Sequence, residues 1–184
     1  NNGTIEKITN SGTISAGNTD NDSDYGFFNS GTIETITNSG TISATNRYGL
    51  YNSGTITNLT NTNTGTISAG TNYAIANTGS IGTFTNTGTL TPTGATGISN
   101  QGSITTFNNS QGKSGSNPVT FTKSLPTYYN VIVNSTSDYG QIEFSSISGN
   151  TSLNFDVDST STLAGSTTYS SVLSGLICYR MCSY

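Results

Sequence analysis

One short phrase, Asn-(Ser/Thr)-Gly-(Thr/Ser)-(Ile/Leu), keeps returning through the first 112 residues of the chain. It comes in two alternating contexts. One reads Gly-Thr-Ile-x-x-Ile-Thr-Asn, at Gly3 to Asn10 and Gly31 to Asn38, with later copies starting at Gly54, Gly79 and Gly102. The other reads Gly-Thr-Ile-Ser-Ala and starts at Gly12, Gly40 and Gly65, with a looser copy at Gly88. A third phrase follows, at Tyr25–Asn29, Tyr48–Asn52, Tyr73–Asn77 and, more loosely, Thr96–Asn100. Successive units begin 28, 23, 25 and 23 residues apart, the 28 containing a five-residue insertion before Tyr25. A period near 23 with local insertions marks a solenoid whose loops vary while its frame does not.

Each phrase is short, β-branched and bounded by Asn, Ser and Gly, which reads as a strand followed by a turn. No apolar stripe of helical spacing lies between the phrases, so helical crossovers are excluded. The expected fold is therefore all-β: a right-handed parallel β-helix of about 23 residues per coil. Stacking the coils gives four apolar columns: Ile5, Ile33, Ile56, Ile81 and Ile104; Ile8, Ile36, Leu59, Phe84 and Phe107; Ile14, Ile42, Ile67 and Leu90; and Phe27, Leu50, Ile75 and Ile98. Asn10, Asn38, Asn61, Asn86 and Asn109 align at one corner, and Asn29, Asn52, Asn77 and Asn100 at another. Asn is expected there because it tolerates a left-handed bend and because its amide can bond to the copies above and below. Only 30% of residues are hydrophobic, a level that would suit a disordered tract if they were scattered; their alignment in columns decides against disorder.

Charge narrows the function. The net charge is −4, and the five basic residues (Lys7, Arg47, Lys113, Lys123 and Arg180) lie far apart. Nucleic-acid binding needs clustered cations to neutralise phosphates, so it is excluded. No apolar run is long enough to cross a membrane as a helix. Both cysteines, Cys178 and Cys182, lie in the tail; the rest of the chain has none, as expected of an exported protein that does without disulfides. Residues 1–5 already stand inside a repeat, so the chain reads as part of something longer.

From Lys113 the period fails. Pro118 and Pro126 mark the junction, and longer apolar segments follow at Tyr128 to Val133, Tyr139 to Phe144, Leu153 to Asp158 and Tyr169 to Ile177. In the third of these, Leu153, Phe155 and Val157 are expected to face inward, with Asp156 and Asp158 in water. The division expected is residues 1–112 as repeats and 113–184 as a C-terminal β cap. Gly-Thr-Ile repeats followed by Pro126-Thr127-Tyr128-Tyr129-Asn130-Val131-Ile132-Val133, Tyr139-Gly140-Gln141-Ile142 and Gly165 to Leu173 resemble the passengers of bacterial autotransporters (type V secretion). The resemblance spans nearly the whole chain, although Cys178 to Tyr184 does not continue it. It implies an extracellular, cell-surface β-helix, attached in the full-length protein to an outer-membrane barrel. It also implies an autochaperone-like segment before that barrel. The role it implies is a stalk, or an adhesin that touches a host or neighbouring cell surface through loops such as residues 17–24.

Chemistry has few residues to draw on. Asp20, Asp22 and Asp24 alternate in the five-residue insertion, as in a Ca²⁺ loop, but Gly31 stands where the bidentate Glu would be, so a solvated loop is expected. Cys178 and Cys182 make a poor metal site with no His in the chain. Glu6 and Glu34 fall one rung apart, yet later coils place Thr57, Gly82 and Thr105 there. With no His for a triad and no Gly-x-Ser-x-Gly elbow, the chain is expected to be no enzyme and to need no cofactor. Two alternatives follow from the fold type. One is a polysaccharide-acting β-helix enzyme. The other is an ice-binding solenoid using Thr13/Ser15, Thr41/Ser43, Thr66/Ser68 and Thr89/Thr91 as a hydroxyl array.

Overall fold

The structure, a computed structural model, describes residues 1–17, 24–92, 96–112, 118–149 and 151–176. Each repeat phrase folds as one strand. The first coil comprises β1 (Thr4–Asn10), β2 (Thr13–Ala16) and β3 (Tyr25–Asn29). The second comprises β4 (Thr32–Asn38), β5 (Thr41–Ala44) and β6 (Tyr48–Asn52). The third comprises β7 (Thr55–Asn61), β8 (Thr66–Ala69) and β9 (Tyr73–Asn77), and the fourth β10 (Ser80–Asn86), β11 (Thr89–Pro92) and β12 (Thr96–Asn100). Beyond them come β13 (Ser103–Asn109), β14 (Val119–Lys123), β15 (Tyr128–Val131), β16 (Ile142–Ile147), β17 (Asn154–Val157) and β18 (Leu173–Ser174).

These strands stack into three parallel sheets: sheet A in the order β1-β4-β7-β10-β13-β15-β17, sheet B β2-β5-β8-β11, and sheet C β3-β6-β9-β12-β14-β16-β18. The expected β-solenoid is therefore the fold, and among the described residues there is no helix. The register places Ile5 on Ile33, Ile33 on Ile56, and Ile14 on Ile42, so the four apolar columns stand as the repeats require. From Ile33 onward the core residues are almost completely buried. Each such side chain contributes about 1.5–3 kcal/mol, which lets a thin core suffice because every coil repeats the same contact.

The Asn corners hold the coils through their amides. Asn10 Nδ2 donates to Asn38 Oδ1 at 2.8 Å, Asn38 to Asn61 at 2.8 Å, Asn61 to Asn86 at 2.9 Å and Asn86 to Asn109 at 3.0 Å. A second ladder runs from Asn29 through Asn52 and Asn77 to Asn100, each step 2.8 Å. The same amides also reach backbone carbonyls: Asn52 donates to Gly54 O at 3.2 Å and to Ser80 O at 3.1 Å. A buried amide is costly unless its partners are all present, and the ladder supplies them. The left-handed bend expected of these residues is not found, since none of the corner asparagines has a positive φ. Glycine follows each corner for space instead. A Cβ on Gly54 would lie 2.1 Å from Gly31 O, and one on Gly79 would lie 2.0 Å from Gly54 O, so any side chain would force the coils apart.

The C-terminal segment is built by continuing two of the sheets. In sheet A, Phe107 sits on Tyr129 and Tyr129 on Phe155; in sheet C, Ile98 sits on Phe121 and Phe121 on Phe144. Its strands are shorter than the apolar segments that contain them, since β15 ends at Val131 and β18 is two residues long. Sheet B stops at β11, where the buried side chain of Gln111 takes the place of another strand. Its Oε1 accepts from Leu90 N at 2.7 Å and its Nε2 donates to Leu90 O at 3.1 Å, as a neighbouring peptide would. The turn at residues 132–140, closed by Gly140 N donating to Ile132 O at 3.0 Å, lies beside it in space, with Gln141 N donating to Gln111 O at 2.9 Å. Phe155 and Val157 do not become interior residues. They remain 48% and 38% exposed because no described strand pairs with β17 on its outer side.

Candidate functional site

With the interior filled, any site must lie on the outer faces, and three of these carry the residues that the sequence singles out. Sheet B presents the hydroxyl array. Thr13, Thr41, Thr66 and Thr89 stand in register, as do Ser15, Ser43, Ser68 and Thr91. The structure thus brings these residues together, over four rungs. Sheet A carries Glu6 and Glu34, both solvent-exposed, with Ile5 on Ile33 and Lys7 on Thr35 fixing their rungs. Among the described residues, the equivalent rungs of the coils beyond carry Thr57, Gly82 and Thr105.

Of the candidate calcium ligands, Asp20 and Asp22 lie outside the described residues, as do Cys178 and Cys182. So does most of the 17–24 loop. Asp24 is described, and it is fully buried. Its Oδ2 accepts from Asn46 N at 2.5 Å, and its Oδ1 has no hydrogen-bond partner. Among the described residues, no three metal-ligating side chains gather.

The third face is one that the sequence reading left unassigned. In the third repeat phrase the core residues are Phe27, Leu50 and Ile75, whereas Tyr25, Tyr48, Tyr73, Phe28 and Tyr51 are only partly buried or exposed and stack with one another. Tyr25 stacks on Tyr48 at 5.7 Å between ring centroids, and Tyr48 on Tyr73 at 5.8 Å. Phe28 stacks on Tyr51 at 5.5 Å with the ring planes 14° apart, and Tyr25 lies 5.1 Å from Tyr51. Offset-stacked pairs in this range contribute about 0.5–1.5 kcal/mol beyond their burial. The Arg47 guanidinium covers Tyr25 and Tyr48 at 5.3 and 5.1 Å, and its Nη1 donates to the Tyr25 hydroxyl at 2.8 Å. The signal was available in the repeat itself: Tyr recurs two residues before the inward residue in three successive coils.

This ladder ends abruptly. Where the second coil has Tyr51, the third has Ala76 and the fourth Ser99. A cleft of about 190 Å³ runs along the ladder from Tyr25 and Arg47 past Tyr48, Tyr51 and Tyr73 to Thr78 and Gln101, with Ala76 and Ser99 buried at its floor. The Tyr51 hydroxyl lies 3.3 Å from Thr78 Oγ1. A separate apolar hollow of about 350 Å³ opens at the β17 end, lined by Val131, Val133, Phe155, Val157, Leu163, Tyr169, Val172 and Leu173.

No known family model matches the chain, and no curated protein or solved structure matches it. The class defined by fold and faces is a parallel β-solenoid repeat protein. No helix among the described residues is long and apolar enough to cross a membrane.

Proposed function

We propose that this chain is the shaft of an autotransporter-type passenger, a secreted stalk that stands out from a bacterial cell surface and carries an adhesive outer face. The observation behind this reading is the division of labour between inside and outside. Inward positions are committed to apolar columns and to two continuous amide ladders, whereas outward positions vary from coil to coil. Such a frame transmits length and stiffness, and it can change its outer residues without disturbing the fold. In the full-length protein the outer-membrane barrel would be the membrane partner, and the surface of a host or neighbouring cell would be the adhesive target. Catalysis has no comparable support. Glycan cleavage needs two carboxyl groups flanking the bond, and Glu6 and Glu34 lie exposed on a strand without further acids beside them.

The test is display. The chain is fused upstream of an outer-membrane barrel in a Gram-negative host, with an epitope tag at its N-terminus. The expected result is a tag reached by antibody on intact cells and a shaft that resists added protease. Retention of the tag inside the cell, by a chain that folds as a β-solenoid when purified, would refute the export reading. A second reading, ice binding, draws on the in-register hydroxyl columns of sheet B. Thermal hysteresis and faceted ice growth would support it.

A further inference from the structure

We propose that the polar cleft left where sheet B ends, between Thr89 and the turn that carries Asp138, binds a saccharide bearing no acidic group. This rests on the adhesive reading above and names its ligand class. The cleft encloses about 590 Å³ and is lined by Asn63, Thr87, Thr89, Ser110, Asn134 and Asp138, around the Gln111 that stands in for a strand. Exposed Asn63 and Asn134 stand at its rim, and buried Ser110 lies at its floor.

Ser110 is the observation that points to a ligand. Elsewhere the corner hydroxyls bond back to the preceding rung: Ser39 Oγ donates to Asn10 O at 3.2 Å, Ser53 Oγ to Asn29 O at 3.2 Å and Thr87 Oγ1 to Asn61 O at 3.3 Å. Ser110 keeps only the backbone half of this pattern, its N donating to Asn86 O at 3.0 Å. Its hydroxyl has no hydrogen-bond partner among the described residues, although the residue is only 5% exposed. A group so enclosed needs a partner, and the cleft is where one can enter. Across the cleft, Asp138 is held in place. Its Oδ2 accepts from Asn134 Nδ2 at 3.0 Å, and its backbone carbonyl accepts from Asn134 N at 2.9 Å. Its Oδ1 stays open to a ligand.

These groups select the ligand by exclusion and by fit. A bare cation takes its charge from several carboxylates close around it, and this lining offers Asp138 alone. An added peptide strand would need the edge of β11, but Gln111 already occupies both peptide groups of Leu90. An apolar ligand would leave hydroxyls, amides and a carboxylate facing carbon. A sugar ring matches them: its hydroxyls donate to Asp138 in charge-assisted bonds and accept from Ser110 and from the amide of Asn63. The negative charge of Asp138 turns away acidic glycans.

Affinity electrophoresis of the purified full chain tests this, in native gels containing a soluble β-glucan, a mannan, a galactan, glycol chitosan or, as the acidic control, a polyuronate. Retardation by at least one of the four non-acidic polymers is expected. Losing one neutral hydrogen bond in Ser110→Ala should weaken binding about three- to tenfold, and losing one to a charged group in Asp138→Asn by about tenfold or more. A merely structural Ser110 would lower the melting temperature when truncated; here it should stay equal to or above that of the parent. No retardation by a non-acidic polymer, equal or stronger retardation by the polyuronate, or parental binding in both variants would each overturn the assignment. The experiment is independent of export. Failed display with retained binding sinks the shaft-and-secretion reading alone, whereas display without binding sinks the saccharide site alone.

Discussion

Tyr129 offers the most direct test of how the core is built. It occupies the column that runs Ile36, Leu59, Phe84, Phe107, Tyr129 and Phe155, so its coil neighbours on both sides are phenylalanines. Its ring is completely buried and its hydroxyl has no hydrogen-bond partner. The neighbouring Asn109 cannot serve. Its amide hydrogens go to the Gln111 and Gln141 carbonyls at 2.9 and 3.3 Å, and its Oδ1 already accepts from Asn86 and from Gln111 N. An orphaned buried hydroxyl costs about 1–3 kcal/mol. Tyr129→Phe deletes that group and keeps the ring, so it should raise stability by about 1–2 kcal/mol, or several degrees in melting temperature for a chain of this size. A second readout follows from titration. Burial pushes the Tyr129 phenol above the ordinary tyrosine range. With the folded pKa raised, the unfolded chain releases the proton first. Stability is then complete below about pH 10 and falls above it, with a limiting slope of about 1.4 kcal/mol per pH unit. Urea titrations of both proteins at neutral pH and at pH 10–11 measure the two effects together. A Phe variant no more stable than the parent, or one with the same alkaline loss, would show that the hydroxyl has a partner and that this account of the column is wrong.

Gln111→Leu should lower stability by about 2–4 kcal/mol, read by urea denaturation, since it unpairs both peptide groups of Leu90 where sheet B ends. Asn52→Leu in the middle of an amide ladder should cost at least as much as Asn29→Leu nearer its end, as urea denaturation would show, because it removes the acceptor of Asn29 and leaves the Oδ1 of Asn77 without its donor in the interior. Gly54→Ala should destabilise more than Gly12→Ala, whose Cβ would meet nothing within 4 Å; thermal melts of the two variants give the comparison. A chain cut after Gly112 should melt earlier and aggregate more than one ending at residue 177, because it uncovers Phe107 and the edge of β13. Equal melting and solubility for these two lengths would show that the later strands are merely appended.

The sequence made the frame readable because a solenoid turns a long-range contact into a fixed offset. Ile33 needs no knowledge of distant geometry to find Ile56, only the period, and the same holds for the Asn corners. What escaped the period was whatever happens once per molecule. Gln111 resembles any other polar residue at a repeat boundary, and only the coordinates show it standing in for a strand against Leu90. The segment after residue 118 kept the spacing of sheets A and C but lost sheet B, so its 23-residue rhythm from Ile98 to Phe121 to Phe144 was hidden among unfamiliar words. Asp156 and Phe155 alternate as an amphipathic strand should, but with no described strand packed beyond it the inward side stays half open.

The aromatic ladder was missed for a different reason, and that reason bears on where function resides in such a fold. Attention to burial makes Phe27, Leu50 and Ile75 conspicuous and treats the residues between them as filler. Yet the frame places no demand on Tyr25, Tyr48 or Tyr51: Thr96 stands in register with Tyr73, and Ala76 and Ser99 take the rungs after Tyr51. Residues that the frame does not require, but that recur in adjacent coils and then stop, have another cause. Repetition over three rungs builds a surface that no single coil could offer, and the loss of the ring at Ala76 gives that surface an end. A ladder that served only as stabilising stacking would gain from continuing, since each added pair contributes about 0.5–1.5 kcal/mol. It stops instead at Ala76 and Ser99, both buried, so small residues close the surface at those rungs and the rings are confined to the first three coils.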